Sequence, residues 1–153
     1  MTNPFRIFPI AMLILVSPGP ASMAETPMEN DMQKVMGIGG LFFRSEDPER
    51  LAKWYEENLG ISLVPTSYEE EPWQQDAGPT VFAPFAKDTT YFGKPDQAWM
   101  VNFRVADLKA MVAQLEVAGI AVGDPESHPN GDFARLHDPD GNPIELWEPK
   151  EPE

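Results

Sequence analysis

The segment GDFARLHDPDGNPIELWE, residues 131–148, holds the densest set of chemically useful side chains: Arg135, His137, Glu145 and Trp147. Within it, Asp138-Pro139-Asp140-Gly141-Asn142 predicts a three-residue hairpin loop, with Pro139 and Asp140 in a type I turn and Gly141 in the left-handed region. Closing the chain there sets Asp138 opposite Asn142, Arg135 opposite Glu145 and Phe133 opposite Trp147. Alternation along the two strands then gives Ala134, Leu136, Ile144 and Leu146 one apolar face. Phe133, Arg135, His137, Glu145 and Trp147 share the other face. A slip of one residue would bury Arg135 and Glu145 against apolar partners, so burial cost favours this register. On the polar face Glu145 is the candidate catalytic carboxylate, able to serve as a general base once buried. The planar guanidinium of Arg135 suits either an anionic ligand or pairing with Glu145 itself.

Two similar units position these groups. Ile38–Arg44 reads as a strand, Asp47-Pro48-Glu49 as a helix start, and Leu51, Ala52, Trp54, Tyr55 and Leu59 as a helical stripe ended by Gly60. Ile61–Val64 reads as the strand that follows. The same order returns with Trp99–Val105 as a strand and Asp107 as the cap. Leu108, Met111, Val112, Leu115 and Val117 form the stripe, and Gly119 stops the helix before Ile120–Val122. An offset of 60 residues superposes Phe43-Arg44 on Phe103-Arg104 and Asp47 on Asp107, the pattern of a duplicated unit. Thr80–Ala86 is a further expected strand. Alternation places Arg44, Met100, Asn102 and Arg104 on the same side as Glu145. The candidate ligand-binding set is therefore Asn102, Arg135, Phe133, Trp147, Arg104, Arg44 and Met100, with Tyr91, Phe92, Phe42 and Trp99 as further aromatic walls. His128 and His137 read as rim or surface residues.

The strand followed by DPE and a helix, the repeated unit containing VNFRVADL, and the terminal FARLHDPDGNPIELWEP resemble the glyoxalase/bleomycin-resistance/dioxygenase superfamily, the vicinal oxygen chelate proteins. The resemblance spans about residues 36–149. It implies an α+β fold of two βαβββ modules forming an open barrel or cup around a small ligand. In metal-dependent members it implies a divalent ion, Zn, Ni, Fe or Mn, held from the first and last strands of each module. Those positions fall here on Gly40, on Met100, and within Thr80–Ala86, which carries no acid, amide or histidine. Glu145 is the one retained metal position, so the family site is incomplete. The resemblance thus implies a small-molecule binder of this fold. Its alternatives are a metal-dependent lyase or isomerase of the lactoylglutathione lyase type, and a drug-sequestering protein like those conferring bleomycin resistance. A homodimer is a possible partner: it would complete the ligands of the lyase or isomerase across its interface, or form the drug-binding groove between subunits.

Composition narrows the partners. The 153 residues carry 25 acidic and 11 basic side chains, a formal charge of -14, which opposes capture of nucleic acid or of an anionic membrane surface. The absence of cysteine excludes a disulfide framework and any thiolate nucleophile or ligand. Residues 1–24 have a single charge, Arg6, and an apolar run too short to span a bilayer, followed by Ala21-Ser22-Met23-Ala24. They read as a signal peptide cut near Ala24, which would deliver the protein to the periplasm or outside the cell. A start at Met32 is the alternative and would leave it cytoplasmic. Residues 25–34 read as a polar leader, 35–149 as the folded domain and 150–153 as a tail.

Overall fold

A computed structural model describes residues 33–150. The expected signal peptide, its cleavage point near Ala24, the alternative start at Met32 and most of the leader and tail lie outside the described residues. The chain divides into two units, Met1–Leu41 and Phe42–Glu153. In the first, the described residues 33–41 form neither helix nor strand. Among the described residues, the second carries every regular element.

The class is α+β, and the described residues form two helices and a four-stranded open sheet. Helix α1 spans Pro48–Leu59. Its Asp47 carboxylate accepts from the Arg50 amide at 3.1 Å, Pro48 needs no donor in the first turn, and Gly60 closes the helix at φ 69°. Strand β1, Val101–Arg104, runs into helix α2, Leu108–Val117. Asp107 accepts from the Ala110 amide at 2.8 Å, and the Leu108 amide donates to Glu148 Oε2 at 2.7 Å, so the last strand also caps this helix. Asp107→Ala is expected to cost about 1 kcal/mol in chemical denaturation, because the Glu148 bond remains when the Asp107 bond is lost. A loss below a few tenths would show that Glu148 caps the helix alone.

Strands β2 (Glu126–His128), β3 (Gly131–His137) and β4 (Pro143–Pro149) complete the sheet in the order β1-β4-β3-β2. β4 pairs antiparallel with β3 and parallel with β1. The expected register is present at every named pair: Arg135 opposite Glu145, Phe133 opposite Trp147. Asp138 and Asn142 close the turn, with the Asp138 amide donating to the Asn142 carbonyl at 3.0 Å and Gly141 at φ 81°. Ala134, Leu136, Ile144 and Leu146 are buried, and they form one core with Leu51 and Tyr55 of α1 and Leu108 and Leu115 of α2. The helices therefore cover one face of the sheet and leave the other for the polar row.

The second βαβββ unit is thus complete: β1, α2, β2, β3, β4. Around α1 the structure departs from expectation. Ile38–Arg44, Ile61–Val64 and Thr80–Ala86 join no ladder, and Ile120–Val122 contributes only an isolated bridge from Val122 to Leu136. Gly37, Gly39 and Gly40 supply no side chain to pack, and Pro84 removes an amide from the middle of TVFAPFA. No tight turn comparable to 138–142 presents these segments with a partner strand. Phe42 and Phe82 are accordingly 93% and 89% exposed.

Candidate functional site on the open sheet face

Three strands each place one polar side chain in a single row. The parallel register sets Asn102 of β1 beside Glu145 of β4, and the antiparallel register sets Arg135 of β3 on its other side. Asn102 Nδ2 donates to Glu145 Oε2 at 2.8 Å. Arg135 donates to Glu145 Oε1 from Nε at 3.1 Å and from Nη2 at 3.0 Å. A fourth donor arrives from a distant loop, because the Tyr91 hydroxyl reaches the same Oε1 at 2.8 Å. These contacts leave the Glu145 residue only 5% exposed, although it lies on the face away from the helices.

Tyr91 does more than donate. Its ring lies 4.1 Å from the Arg135 guanidinium carbon, within cation-π range, and stacks on Phe85 at 5.0 Å with Phe92 edge-on to both. Burial raises the Tyr91 phenol above its ordinary pKa, and the bond to Glu145 raises it further, while Arg135 opposes both. At Arg135, burial pulls the guanidinium down, but the bond to Glu145 and the neighbouring Tyr91 outweigh it and leave the net value raised. Arg135 and Glu145 are therefore a held pair, with the Arg135 side chain still 47% exposed.

The next row is aromatic. Trp147 lies between Arg104 and Phe133 in register, and the Trp147 and Phe133 rings are parallel to within 4° at 6.1 Å. The Trp147 indole donates to the Asn130 carbonyl at 3.1 Å, which fixes its direction. Arg104 turns to a different task. Its Nη2 and Nη1 donate to the backbone carbonyls of Asp76 at 2.6 Å and Ala77 at 3.3 Å, strapping the acidic 66–78 segment to the sheet edge. Gly78 makes room for that guanidinium, since a Cβ there would overlap it.

The candidate residues therefore separate. Asn102, Glu145 and Arg135 come together, with Phe133 and Trp147 in the adjacent row. Met100 lies just before β1 and is half-buried, whereas Arg44 is exposed, with no ion pair among the described residues. His137 is exposed opposite Pro143, and His128 sits on the edge strand 3.4 Å from Glu126. Tyr91 was expected only as an aromatic wall. Its hydroxyl contact spans 54 residues, and no local pattern marks it.

The donor set does not fit the divalent ion that the sequence resemblance implies. Among the described residues no three His, Cys, Asp or Glu side chains gather for a metal. Both oxygens of Glu145 are already occupied by donors, one of them a guanidinium whose charge would oppose a cation there. No described helix is long and apolar enough to cross a membrane.

A family model described as a glyoxalase-like domain matches residues 40–147. Among solved structures, the antibiotic binding protein TnmS3 from Streptomyces sp. CB03234 is 28% identical, over 69% of this chain and 88% of that one, with a TM-score of 0.45. A glyoxalase family protein from Bacillus anthracis is 19% identical over 78% of this chain and 100% of that one, with a TM-score of 0.47. Lactoylglutathione lyase from Agrobacterium tumefaciens is 19% identical over 68% and 87%, with a TM-score of 0.43. No curated protein matches the sequence.

Proposed function

We propose that this chain, which belongs to the glyoxalase-like domain family of the vicinal oxygen chelate superfamily, binds a small organic molecule on the open face of its sheet. The observation that carries this reading is the Asn102-Glu145-Arg135 row, closed by Tyr91 and bordered by the Phe133-Trp147 stack. Small-ligand sites combine apolar walls with a few fixed polar groups, and a row whose members hold one another offers such groups without a loss of side-chain freedom on binding. The helices occupy the opposite face, so a ligand here competes with no core packing. Catalysis through a metal is no part of this reading, because the donors on this face do not suit one.

The test is a small-compound screen followed by nuclear magnetic resonance of the labelled full chain. Binding is expected to move the Asn102 side-chain amide and the Trp147 indole signal, while amides of α1 and α2 stay within noise. Glu145→Ala frees Arg135 and Tyr91 from their common acceptor, and is expected to weaken any such ligand by roughly tenfold. Shifts confined to the helices, or an affinity untouched by Glu145→Ala, would exclude this face as the site.

A further inference from the structure

Of the donors gathered on Glu145, Tyr91 alone comes from outside the sheet. Among the described residues its hydroxyl makes the only hydrogen bond from residues 87–96 to strands β1–β4. The other bonds of that segment are local. The Thr89 amide donates to the Ala86 carbonyl at 3.0 Å, the Tyr91 amide to Thr89 Oγ1 at 3.2 Å and the Gly93 amide to the Thr90 carbonyl at 3.0 Å. The Tyr91 ring packs with Phe85 and Phe92, and none of the three belongs to the core that joins the helices to the sheet. Tyr91 itself is 38% exposed. A segment held to the face through one side chain, with few buried apolar contacts, can leave it without opening the core.

The row does not need Tyr91 to remain satisfied. On its departure Glu145 Oε1 keeps the Nε and Nη2 bonds of Arg135, and Oε2 keeps the Asn102 bond, so no buried charge is stranded. The place uncovered has a defined chemistry. It offers an acceptor on Oε1, which held a hydroxyl oxygen at 2.8 Å, and a guanidinium that held a ring centre 4.1 Å from its carbon. A hydroxyl donates to the carboxylate and the negative face of an aromatic ring meets the cation, so the group that fits is again a phenol. The hydroxyl must also keep its proton there. Burial, and then the bond to Glu145, hold that of Tyr91 above its ordinary pKa. An ether or a bare ring has no proton to give Oε1.

We propose that Tyr91 is a tethered occupant of the site, and that the ligand is a neutral phenol that displaces it, donating its hydroxyl to Glu145 Oε1 and laying its ring against the Arg135 guanidinium. This rests on the reading of the open face as a binding site and names what that face takes. Being tethered, Tyr91 competes at high effective concentration, and so sets the affinity that an incoming phenol has to exceed.

Two probes test this: p-cresol, which has the ring and hydroxyl of the tyrosine side chain, and p-methylanisole, the same ring with the hydroxyl capped. Each is titrated into the labelled full chain, native and Tyr91→Ala, and followed by nuclear magnetic resonance at the Asn102 side-chain amide. Tyr91→Ala is expected to bind p-cresol roughly tenfold more tightly than the native chain does, the factor for a site that its own side chain leaves open in a tenth of the molecules. In that variant p-cresol is expected to bind roughly tenfold more tightly than p-methylanisole, the worth of one hydrogen bond to a charged group. In the native chain the Tyr91 ring signals are expected to move toward those of an exposed tyrosine as p-cresol saturates. Weaker or unchanged p-cresol binding in Tyr91→Ala would make Tyr91 a wall of the site and overturn the displacement, and equal binding of the two probes would overturn the phenol class. Both results leave the open face standing. No shift with either probe in either protein would overturn the whole inference, while the face itself is judged separately by the compound screen. If Tyr91→Ala fails to fold, Tyr91→Phe, which keeps the ring and loses the bond to Glu145, is expected to show a smaller gain of the same sign. The native Tyr91 signals read the displacement with no substitution at all.

Discussion

Asp138→Ala is expected to lower the free energy of unfolding by about 3–5 kcal/mol. Asp138 is 5% exposed, and its carboxylate accepts four hydrogen bonds. Oδ1 takes the amides of Asp140 at 3.0 Å and Asn142 at 2.8 Å, and Oδ2 takes the Tyr55 hydroxyl at 2.9 Å and Asn142 Nδ2 at 2.8 Å. Alanine would strand those donors at the one turn that sets the register of β3 against β4. It would also release Tyr55, whose ring sits among Phe43, Trp54 and Phe103. Denaturant titration measures the loss, and a change under 1 kcal/mol would show that water replaces the carboxylate at no real cost.

The same contact fixes a pH response. Burial first, then the charge of Asp138 and the hydrogen bond to it, raise the Tyr55 phenol far above its ordinary value of 10.0. The unfolded chain then releases this proton at lower pH than the folded one. The stability it confers is complete below about pH 10 and is lost as pH rises beyond that. Tyr55→Phe should flatten the alkaline limb of the stability curve while lowering its plateau by about 1 kcal/mol.

Gly131→Ala is expected to cost about 3 kcal/mol and to reach the candidate site as well as the fold. Gly131 has φ 155°, and a Cβ on it would collide with Trp147 Nε1 and come within 2.5 Å of the Glu148 carbonyl oxygen. The second of these is backbone and cannot swing aside. Either β3 and β4 part at their open end, or Trp147 leaves its bond to Asn130 and its place beside Phe133. Tryptophan emission should shift to longer wavelength together with the fall in stability. An unchanged emission spectrum with an unchanged unfolding midpoint would contradict the close approach.

The part of the site legible in the sequence is the part that local rules govern. Asp138 to Asn142 dictates a turn, the turn dictates that Arg135 meets Glu145, and alternation gives the buried and open faces. Asn102 needed one more step, the repeat that aligned β1 with the segment before α1. Tyr91 escaped because its loop has turn chemistry but no periodicity, so nothing in residues 87–96 indicates which side chain will face the sheet. Alternation placed Arg104 on the same face as Glu145, yet its backbone acceptors, 27 and 28 residues away, follow only from the path of the 66–78 segment. The strands expected around α1 failed for a different reason. Their composition is strand-like, but Gly39, Gly40 and Pro84 weaken pairing, and strand propensity expresses itself only where a partner is presented.

Glu145 is also the junction of three closed loops of unequal length. Its bond to Arg135 spans 10 residues, that to Asn102 spans 43 and that to Tyr91 spans 54. Loop-closure entropy rises slowly with length, so the two longer closures cost similar amounts, and each costs about 1 kcal/mol more than the hairpin contact. When the native state opens in part, chain entropy favours release of Tyr91 and Asn102 ahead of Arg135. Among the contacts to Glu145, chain entropy thus favours the hairpin pair as the one kept longest, and the two more distant donors are the ones through which the opening of the face can vary.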